Sequence, residues 1–334
     1  MKPISFRTSL SALILYYNGS KDDDEDTKMC AKGIAEALRK RGHVVKKIAV
    51  TEKNWRRAVQ LPGDVVFNLV EDDTWELYKK VGHRLEHLGK AQVGHDMKSF
   101  HYAISKAWVK RKMTHEHIST PTYKIYNRRS ALTSGGLSYP LIVKPSNQHA
   151  GIGISQGSVV NNLTELKNRV QYVLDNFPGE VVVERFIKGR EIHVTVLGND
   201  ESVSALPYCE IGFGKKSEKK WKIYSYEAKW DKKSWEYWNA RIDSPAKISE
   251  HLHDKIQEIA LKAYAAFDCR DIARFDFRID TKGIPYIVDV NMNPSLNYYD
   301  SEDATLASVY TLKWTYDQFI ETIASIAYRR VLGS

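Results

Sequence analysis

The sequence has few of the residues that build disulfide frameworks, zinc sites or membrane spans. It contains three cysteines in 334 residues. These lie far apart at Cys30, Cys209 and Cys269, with no CxxC motif and no paired Cys/His spacing. An odd number of distant cysteines favours a reducing compartment, so we expect a cytoplasmic protein. No apolar run approaches the roughly 20 residues of a membrane span, and no membrane association is expected.

The amino-terminal region also lacks two common signatures. The apolar run at 10–17 follows Lys2 and Arg7, but it is short and has no small-residue cleavage pattern. A first buried strand is therefore a better interpretation than a signal peptide. No GxGxxG motif follows this strand, which leaves a dinucleotide site there unsupported.

The composition is that of an ordinary globular protein with a basic balance. Hydrophobic residues make up 43% and charged residues 27% of the chain, and the net charge is +9. A chain of this length can form two or three compact lobes. The positive charge suits an anionic ligand, either a nucleotide or a nucleic acid, and composition does not choose between them.

The first hundred residues alternate strand and helix patterns. Strands are predicted at 10–17, 44–50 and 64–70, and helices at 26–41 and 77–88. This alternation predicts a small parallel sheet of Rossmann-like type. Glu71, Asp72 and Asp73 follow the third strand, and ligands often bind at the carboxyl ends of parallel strands, so Glu71 is a candidate substrate residue. The acidic run at 22–26 fits a solvated loop or a helix N-terminus.

The next stretch predicts helices that carry lysines. A basic helix is predicted at 98–113, with Lys106 and Lys110 one turn apart. A solvated helix face is the simplest interpretation of this pair. A further helix is predicted at 162–176, with Thr164 as its N-cap.

A glycine-containing loop and two acidic residues suggest a nucleotide site in the middle of the chain. The loop at 146–155 follows Lys144, and such loops let backbone N–H groups approach phosphates. An ordinary glycine hairpin fits this stretch equally well. Glu184 and Glu191 lie on two strands joined by a turn, where the connector could bind an adenine edge and the second carboxylate the ribose. Surface carboxylates on strands are the alternative.

The segment at 214–239 is rich in lysine and tryptophan. Its tryptophans are Trp221, Trp230, Trp235 and Trp238. Interleaved basic and aromatic residues are typical of single-stranded nucleic-acid binding. They are equally typical of a mobile lid that closes over a nucleotide, and packing in the core accounts for some tryptophans in any case.

Two strand patterns near the carboxyl end flank a turn signal at 281–283 and predict a hairpin. Alternation with period two places Arg274 and Asp276 on one face of the first strand, and Asp289 and Asn291 on one face of the second. Two carboxylates and an amide oxygen are hard ligands suited to Mg2+. An adjacent arginine would stabilise charge on a transferred phosphoryl group. The alternative is a hairpin with a solvated polar face.

Taken in order, these stretches resemble the ATP-grasp superfamily, and most closely its D-alanine:D-alanine ligase branch. The resemblance covers about residues 98–300, and the amino-terminal unit is compatible with it. The matching stretches are Lys106, Lys144 with its glycine loop, 184–187, Glu191, 226–229, 274–276 and 289–291.

The resemblance implies an α/β ATP-grasp fold in three parts. These are a Rossmann-like domain at 1–97, a central lobe at 98–190, and a carboxyl-terminal lobe at 191–334 with the metal site and lid. The resemblance also implies ATP and Mg2+ as cofactors, with two metal ions expected and Mn2+ as an alternative metal.

The resemblance further implies which residues bind the nucleotide. They are Lys106, Lys144, His149, Ala150, Gly151, Gly153, Glu184, Arg185, Ile187 and Glu191. Within this set the two lysines would hold the phosphates, and the glycine loop would close over the γ-phosphate. The strand end at 184–187 would bind adenine, and Glu191 would take the ribose.

The metal and catalytic residues follow from the same resemblance. Mg2+ would bind to Asp276, Asp289 and Asn291. Lys229, on the lid, would face phosphate, and Arg274 would steady the transferring group. The family often has glutamate where Asp289 stands, so one metal ligand is shorter here.

The sequence departs from the branch where the substrate would lie. In D-alanine:D-alanine ligases a serine of the glycine loop and a tyrosine after the lid lysine belong to a hydrogen-bonded triad around the first D-alanine. Ala150 and Trp230 align with these positions and cannot take those roles. The segment at 295–301, which would receive the second substrate, has also changed. The candidate substrate residues are Glu71, Trp230, Asp300 and Ser301.

The sequence is compatible with four functions. The leading hypothesis is an ATP-dependent carboxylate–amine ligase that joins an amino acid to a second acid or metabolite through an acyl phosphate. The alternatives are an imine-forming ligase of the mycosporine type, a true D-alanine:D-alanine ligase, and a nucleic-acid-binding protein. The leading hypothesis implies small-molecule partners, no nucleic acid and no membrane, and it leaves room for a homodimer.

Overall fold

A computed structural model of the chain describes residues 1–6, 8–19, 22–72, 74–214, 220–298 and 303–333. The side chains of 22–26 are outside this description, although the backbone places them at the start of the first helix. The strands among these described residues form three sheets. Residues 220–239 of the lysine- and tryptophan-rich segment lead into a strand at one edge of the third sheet.

The first sheet is parallel throughout. Its strands are β1 (Ser11–Tyr17), β2 (Val44–Val50), β3 (Val65–Leu69) and β4 (Ala91–Gln92), in the order β2-β1-β3-β4. The intervening helices are α1 (Asp22–Lys40), α2 (Trp55–Ala58) and α3 (Glu76–His87). The buried apolar side chains of β1 and β3 pack against helices, as expected when crossover helices cover a parallel sheet. The predicted Rossmann-like unit is confirmed.

The predicted single helix at 98–113 is wrong. Two helices occupy this region, α4 (Met97–Ala103) and α5 (Lys106–His115). The hydroxyl of Ser105 accepts a hydrogen bond from the backbone N–H of Trp108 at 3.3 Å and caps the second helix. Apolar periodicity continues across the break, which concealed it in the sequence.

The second sheet is antiparallel, and one helix packs on it. Its strands are β5 (Tyr123–Tyr126), β6 (Leu141–Pro145), β7 (Val159–Val160) and β8 (Val181–Arg185), in the order β5-β8-β6-β7. Helix α6 (Leu163–Asn176) begins one residue later than predicted. Its cap is Asn162, whose side-chain oxygen accepts from the N–H of Glu165 at 2.9 Å, and the prediction of Thr164 as cap is wrong.

The third sheet holds six strands. They are β9 (Arg190–Leu197), β10 (Ser204–Ala205), β11 (Cys209–Phe213), β12 (Ala240–Asp243), β13 (Ile272–Ile279) and β14 (Pro285–Asn291). The main order is β12-β11-β9-β13-β14, and β10 pairs with β9. The helices in this part of the chain are α7 (Tyr226–Trp230), α8 (Trp235–Asn239), α9 (Glu250–Ala266) and α10 (Ala304–Thr311). The last helix, α11 (Tyr316–Leu332), packs instead on α1 and the first sheet.

The predicted closing helix at 311–328 is also wrong in its extent. It consists of the end of α10 and most of α11, separated at residues 312–315. The hydroxyl of Thr315 accepts from the N–H of Gln318 at 3.2 Å, and the Gln318 side chain accepts from the N–H of Thr315 at 2.8 Å. This reciprocal pair is a capping box that starts a new helix.

Strand β13 positions three charged side chains of the candidate site. Alternate residues Phe275 and Phe277 are fully buried in the core that β13 forms with α9. Alternation with period two therefore directs Arg274, Asp276 and Arg278 to the opposite side of the sheet. All eight residues of β13 are buried, so these three charged groups lie in protein surroundings.

The predicted domain boundaries fall close to the limits of these sheets. Helix α4 starts at Met97 and β9 starts at Arg190, each one residue before a predicted boundary. The division into domains stays a prediction. None of the described helices is long and apolar enough to cross a membrane.

The turn between β8 and β9 generates a prediction about stability. Gly189 has a φ of +145°, and a Cβ there would lie 1.9 Å from the carbonyl oxygen of Ile279. We expect Gly189→Ala to lower the free energy of unfolding by about 2–4 kcal/mol, because both the backbone conformation and the contact are unfavourable.

Gly283→Ala is the matched control in urea unfolding. Gly283 has a φ of +76° but open space around its Cα, so the change carries only the conformational cost of about 1 kcal/mol. Equal losses in the two variants would contradict the close contact at Gly189.

Candidate active site

The second and third sheets face each other across a cleft of about 750 Å³, part of which is open to solvent. Helix α5, the glycine loop at 146–155 and the described part of the lysine- and tryptophan-rich segment, residues 220–239, complete its walls. We call this last segment the lid. The predicted residues that line it are Lys106, Lys144, Gly151, Glu184, Arg185, Ile187, Glu191, Lys229, Asp276 and Asp289. The other described candidates lie outside this lining and are Glu71, His149, Ala150, Gly153, Trp230, Arg274 and Asn291.

A buried carboxylate between two lysines forms one wall of the cleft. Glu184 is only 1% exposed, and its Oε1 lies 2.5 Å from the Nζ of Lys144, while its Oε2 pairs with Lys110. Burial raises the pKa of Glu184, but the two ammonium groups outweigh burial and lower its pKa overall. The solvated face suggested for Lys110 is wrong, because its Nζ also donates to the Thr120 hydroxyl at 2.6 Å.

A second carboxylate lies at the end of the cleft where the β8–β9 turn crosses. Glu191 accepts from Arg278 Nη1 at 2.8 Å and lies 3.2 Å from His193 Nε2. Burial raises its pKa, but the histidine and the arginine lower it to about 2. Arg278 also donates to the carbonyl oxygen of Ile187 at 3.1 and 3.0 Å, so it fixes the turn beside the carboxylate.

The predicted metal ligands come together on β13 and β14. Asp276 pairs with Asp289 across the antiparallel ladder, and Arg274 pairs with Asn291. The register shifts after Asp276, so Val288 forms an irregularity whose carbonyl accepts from Lys144 Nζ at 3.3 Å. Through this contact Lys144 of the second sheet reaches the strand of the third sheet that carries Asp289.

The charges of these carboxylates suit a divalent cation. Burial and Asp276 raise the pKa of Asp289, but Lys106 and Lys144 outweigh them, and the pKa is lowered overall. Asp276 is held by Arg274, with Nε 2.8 Å from Oδ1 and Nη2 3.4 Å from Oδ2. Both carboxylates are therefore ionised hard-oxygen groups on neighbouring strands.

The predicted metal ligands would supply only part of the coordination shell of Mg2+. Among the residues that the structure describes, no group of three His, Cys, Asp or Glu side chains could hold a metal ion. The predicted set adds the amide oxygen of Asn291, which accepts from the N–H of Asn293 at 3.0 Å. Two carboxylates plus an amide fit Mg2+, which commonly takes its other ligands from water and phosphate.

Lys106 and the glycine loop form the third wall. The Nζ of Lys106 donates to the carbonyl oxygen of Gln148 at 2.7 Å and lies 3.7 Å from Asp289 Oδ1. His149 turns away, with Nε2 3.1 Å from the carbonyl of Ile104. Burial and Lys106 lower the pKa of His149 to about 4, which keeps this ring neutral near pH 7. Its predicted role in binding nucleotide stays a prediction.

The lid closes directly on the glycine loop. The indole Nε1 of Trp230 donates to the carbonyl of Ala150 at 3.1 Å. A Cβ on Gly151 would lie 2.8 Å from the backbone nitrogen of Tyr226, so glycine permits this approach. Lys229 projects into the cleft, 4.8 Å from the ring centre of Tyr224, and burial lowers its pKa.

The predicted substrate residues are only partly described. Asp300 and Ser301 lie outside the described residues, as does Asp73. Glu71 accepts from the side-chain amide of Asn293 at 2.8 Å, which connects the first sheet to the end of β14. Asp72 instead accepts from backbone N–H groups at the start of α3 and is structural.

Four charged residues of this region escaped sequence analysis as site residues. They are Lys110, His193, Arg278 and Asp303. Arg278 and His193 continue the same strand faces as Asp276 and Glu191, and that alternation was a usable signal. The burial of Lys110 and the position of Asp303 depend on tertiary partners and leave no local signal.

The chain is similar in sequence and in fold to known ligases. The family described as D-ala D-ala ligase C-terminus matches residues 116–324. An uncharacterized protein, y4sG, of Sinorhizobium fredii is 29% identical over 275 residues, which cover 81% of this chain and 76% of that protein. A D-alanine--D-alanine ligase of Francisella philomiragia is 26% identical over 316 residues, 93% of this chain and 96% of that protein. The crystal structure of D-alanine--D-alanine ligase from Bacillus anthracis has a TM-score of 0.77 at 21% identity, covering 98% of this chain and 99% of that one.

The buried lysine pair generates a test of the cleft wall. We expect Lys110→Met to lower the free energy of unfolding by about 3–5 kcal/mol, because it removes one of the two cations that neutralise buried Glu184. Lys112→Met is the control, since Lys112 pairs with Glu116 on the outer surface of the same helix and should cost less than about 1 kcal/mol. Similar urea midpoints for the two variants would contradict the assignment.

The low pKa of Glu191 generates a test by pH. Its folded pKa is about 2 against an ordinary 4.5, so its ionisation stabilises the fold above pH 4.5, and this contribution is lost as pH falls towards 2. The difference in unfolding free energy between parent and Glu191→Gln should be constant near neutrality and shrink through that window. Glu201→Gln, at an exposed position, is the control for the substitution itself. A difference independent of pH would exclude the ion pair.

Proposed function

The chain belongs to the D-alanine–D-alanine ligase family of ATP-grasp proteins, and we propose that it is an ATP-dependent carboxylate–amine ligase. It would join an amino acid to a second acid or metabolite through an acyl phosphate, and release ADP and phosphate. The family uses ATP and Mg2+. The expected ATP-grasp fold is confirmed by the solved structures to which the chain is similar.

One observation carries the proposal: cationic and acidic side chains face a single cleft in an order that matches a nucleotide. Glu191 lies at one end of the cleft beside Arg278. Asp276 is two residues away from Arg278 on the same strand and pairs with Asp289 on β14. Lys106 approaches Asp289, while Lys144 approaches the carbonyl of Val288. The same order would place adenine, ribose and phosphates from the β8–β9 turn towards the tip of β14.

The residues at the adenine end would bind by shape and by hydrogen bonds. The main chain around Arg185 and Ile187 is held in place by the Thr122 carbonyl, which accepts from the N–H of Arg185 at 2.9 Å, and by Arg278. Ile142 and Phe186 supply apolar surface for a base. Glu191 is ionised and fixed, which suits it to accept from ribose hydroxyls.

At the phosphate end the chain supplies charge. Lys106, Lys144 and Lys229 would face the phosphate oxygens, with a role for the backbone of the glycine loop beneath the lid. Asp276, Asp289 and Asn291 would hold Mg2+. The ion, when bound, offsets charge on the phosphates.

The proposed reaction has two transfers. A carboxylate oxygen of the acid bonds to the γ-phosphorus as the bond to ADP breaks. The amine nitrogen then attacks the carbonyl carbon, loses a proton, and expels phosphate. The lid contact between Trp230 and Ala150 would exclude water, which would otherwise hydrolyse the acyl phosphate.

D-alanine:D-alanine ligation is the second candidate, because relatives of this chain bear that name. This candidate is disfavoured because Ala150 and Trp230 stand where the serine and the tyrosine of the triad would lie. The indole Nε1 of Trp230 donates to the backbone carbonyl of Ala150. A ring larger than that of tyrosine therefore lies between the lid and the glycine loop. Release of phosphate that depends on D-alanine alone would favour this candidate.

Two substitutions test the nucleotide site by titration calorimetry with ATP and Mg2+. Lys144→Ala should weaken ATP affinity at least about tenfold, because one charge-assisted contact is lost. Asp289→Ala should abolish the dependence of ATP binding on Mg2+, and it should also remove ADP release across a panel of amino acids and acids.

The exposed Asp254→Ala is the control, since Asp254 lies on the outer face of α9. Circular dichroism should show that all three variants keep the parent fold. Parent protein that does not bind ATP would overturn the proposed function, and variants that bind and turn over like the parent would overturn the site assignment.

A further inference from the structure

The polar face of β13 suggests the order in which the nucleotide and the two substrates lie along the cleft. Arg278 contacts Glu191 at the ribose end, Asp276 lies at the metal end, and Arg274 is the next residue on the same face. A strand advances by about 6.8 Å for every second residue. If the nucleotide runs from Arg278 towards Asp276, the acyl group and the incoming amine lie beyond Asp276, beside Arg274.

An internal carboxylate already lies beside Arg274. Asp303 Oδ2 is 3.6 Å from Arg274 Nη1, and the side chains of both are almost fully buried, at 6% and 10% exposure. Asp276 lies on the other side of the same guanidinium group, with its Oδ1 2.8 Å from Arg274 Nε. Arg274 is therefore a permanent cation with protein carboxylates on both sides.

The other oxygen of Asp303 occupies the start of α10. Its Oδ1 accepts from the N–H groups of Thr305 at 2.8 Å and Leu306 at 3.1 Å. A substrate carboxylate is commonly bound by hydrogen bonds from an arginine and from the backbone N–H groups at a helix start. Asp303 engages both, as a carboxylate that belongs to the chain itself.

We propose that Asp303 is a specificity-determining residue that excludes acceptors with a carboxylate next to the reacting nitrogen. The amine acceptor is then a neutral or cationic amine, and the amino acid enters as the acyl donor. An acceptor carboxylate would have to displace Asp303 and would meet its negative charge at short range.

This inference rests on the proposed function, and its test has two stages. In the first, each of the twenty common amino acids and D-alanine is incubated with protein, ATP, Mg2+ and hydroxylamine, and hydroxamate and ADP are measured. Hydroxamate identifies the acid that is activated. Failure to bind ATP would overturn the proposed function and this inference with it. A protein that binds ATP but activates none of these amino acids would overturn this inference alone, because the inference makes the amino acid the acyl donor.

In the second stage the activated acid is paired with acceptors that differ only in a carboxylate. Glycine is compared with glycinamide, and alanine with alaninamide, through kcat/KM for ADP release and through product mass. We expect the amides to be preferred at least tenfold. Asp303→Asn should shift the ratio at least tenfold towards the free amino acids, because it removes the negative charge that the acceptor carboxylate would meet and still caps α10.

Asp96→Asn is the matched control. Asp96 also caps a helix, accepting from the N–H of Ser99 at 2.7 Å, and also pairs with an arginine, Arg270, at 3.0 Å. It should lose similar stability and leave the acceptor ratio unchanged. A parent protein that prefers glycine or alanine over its amide would overturn the inference, as would an equal shift in both variants. If Asp303→Asn fails to fold, the parent ratio alone decides.

Discussion

The register of β13 between its two neighbours is the constraint on which the candidate site depends. Against β9 it sets Arg278 opposite Glu191 and Asp276 opposite His193. Against β14 it sets Asp276 opposite Asp289 and Arg274 opposite Asn291. A slip by one residue would send these side chains to the core face and Phe275 and Phe277 into the cleft, so the hydrophobic core itself fixes the site.

Burial of so many charges is tolerable because they alternate in sign. Glu184 lies between two lysines, Glu191 beside Arg278, and Asp276 beside Arg274. A buried charge without a partner costs several kcal/mol, so each group constrains the position of the next. These ion pairs fix the relative positions of the charged groups, as electrostatic preorganisation of the proposed site requires.

Sequence analysis predicted the parts of this site that follow from local alternation. The hairpin and its four polar residues, the parallel first sheet and the lysine at the end of β6 all follow from strand patterns and neighbouring turns. The helix breaks at Ser105 and Thr315 were missed because apolar spacing continued through them, although both residues are good N-caps. The burial of Lys110 and the contact of Asp303 with Arg274 depend on segments far apart in sequence, and no local pattern contains them.

The central claim is that the cleft between the second and third sheets holds a metal–nucleotide complex along β13. A crystal structure of the protein grown with a non-hydrolysable ATP analogue and Mg2+ tests it most directly. The account predicts adenine beside Ile187, ribose hydroxyls on Glu191, and a metal ion bound by Asp276, Asp289 and Asn291. A nucleotide bound elsewhere, or a metal ion that leaves Asp276 and Asp289 without contact, would contradict it.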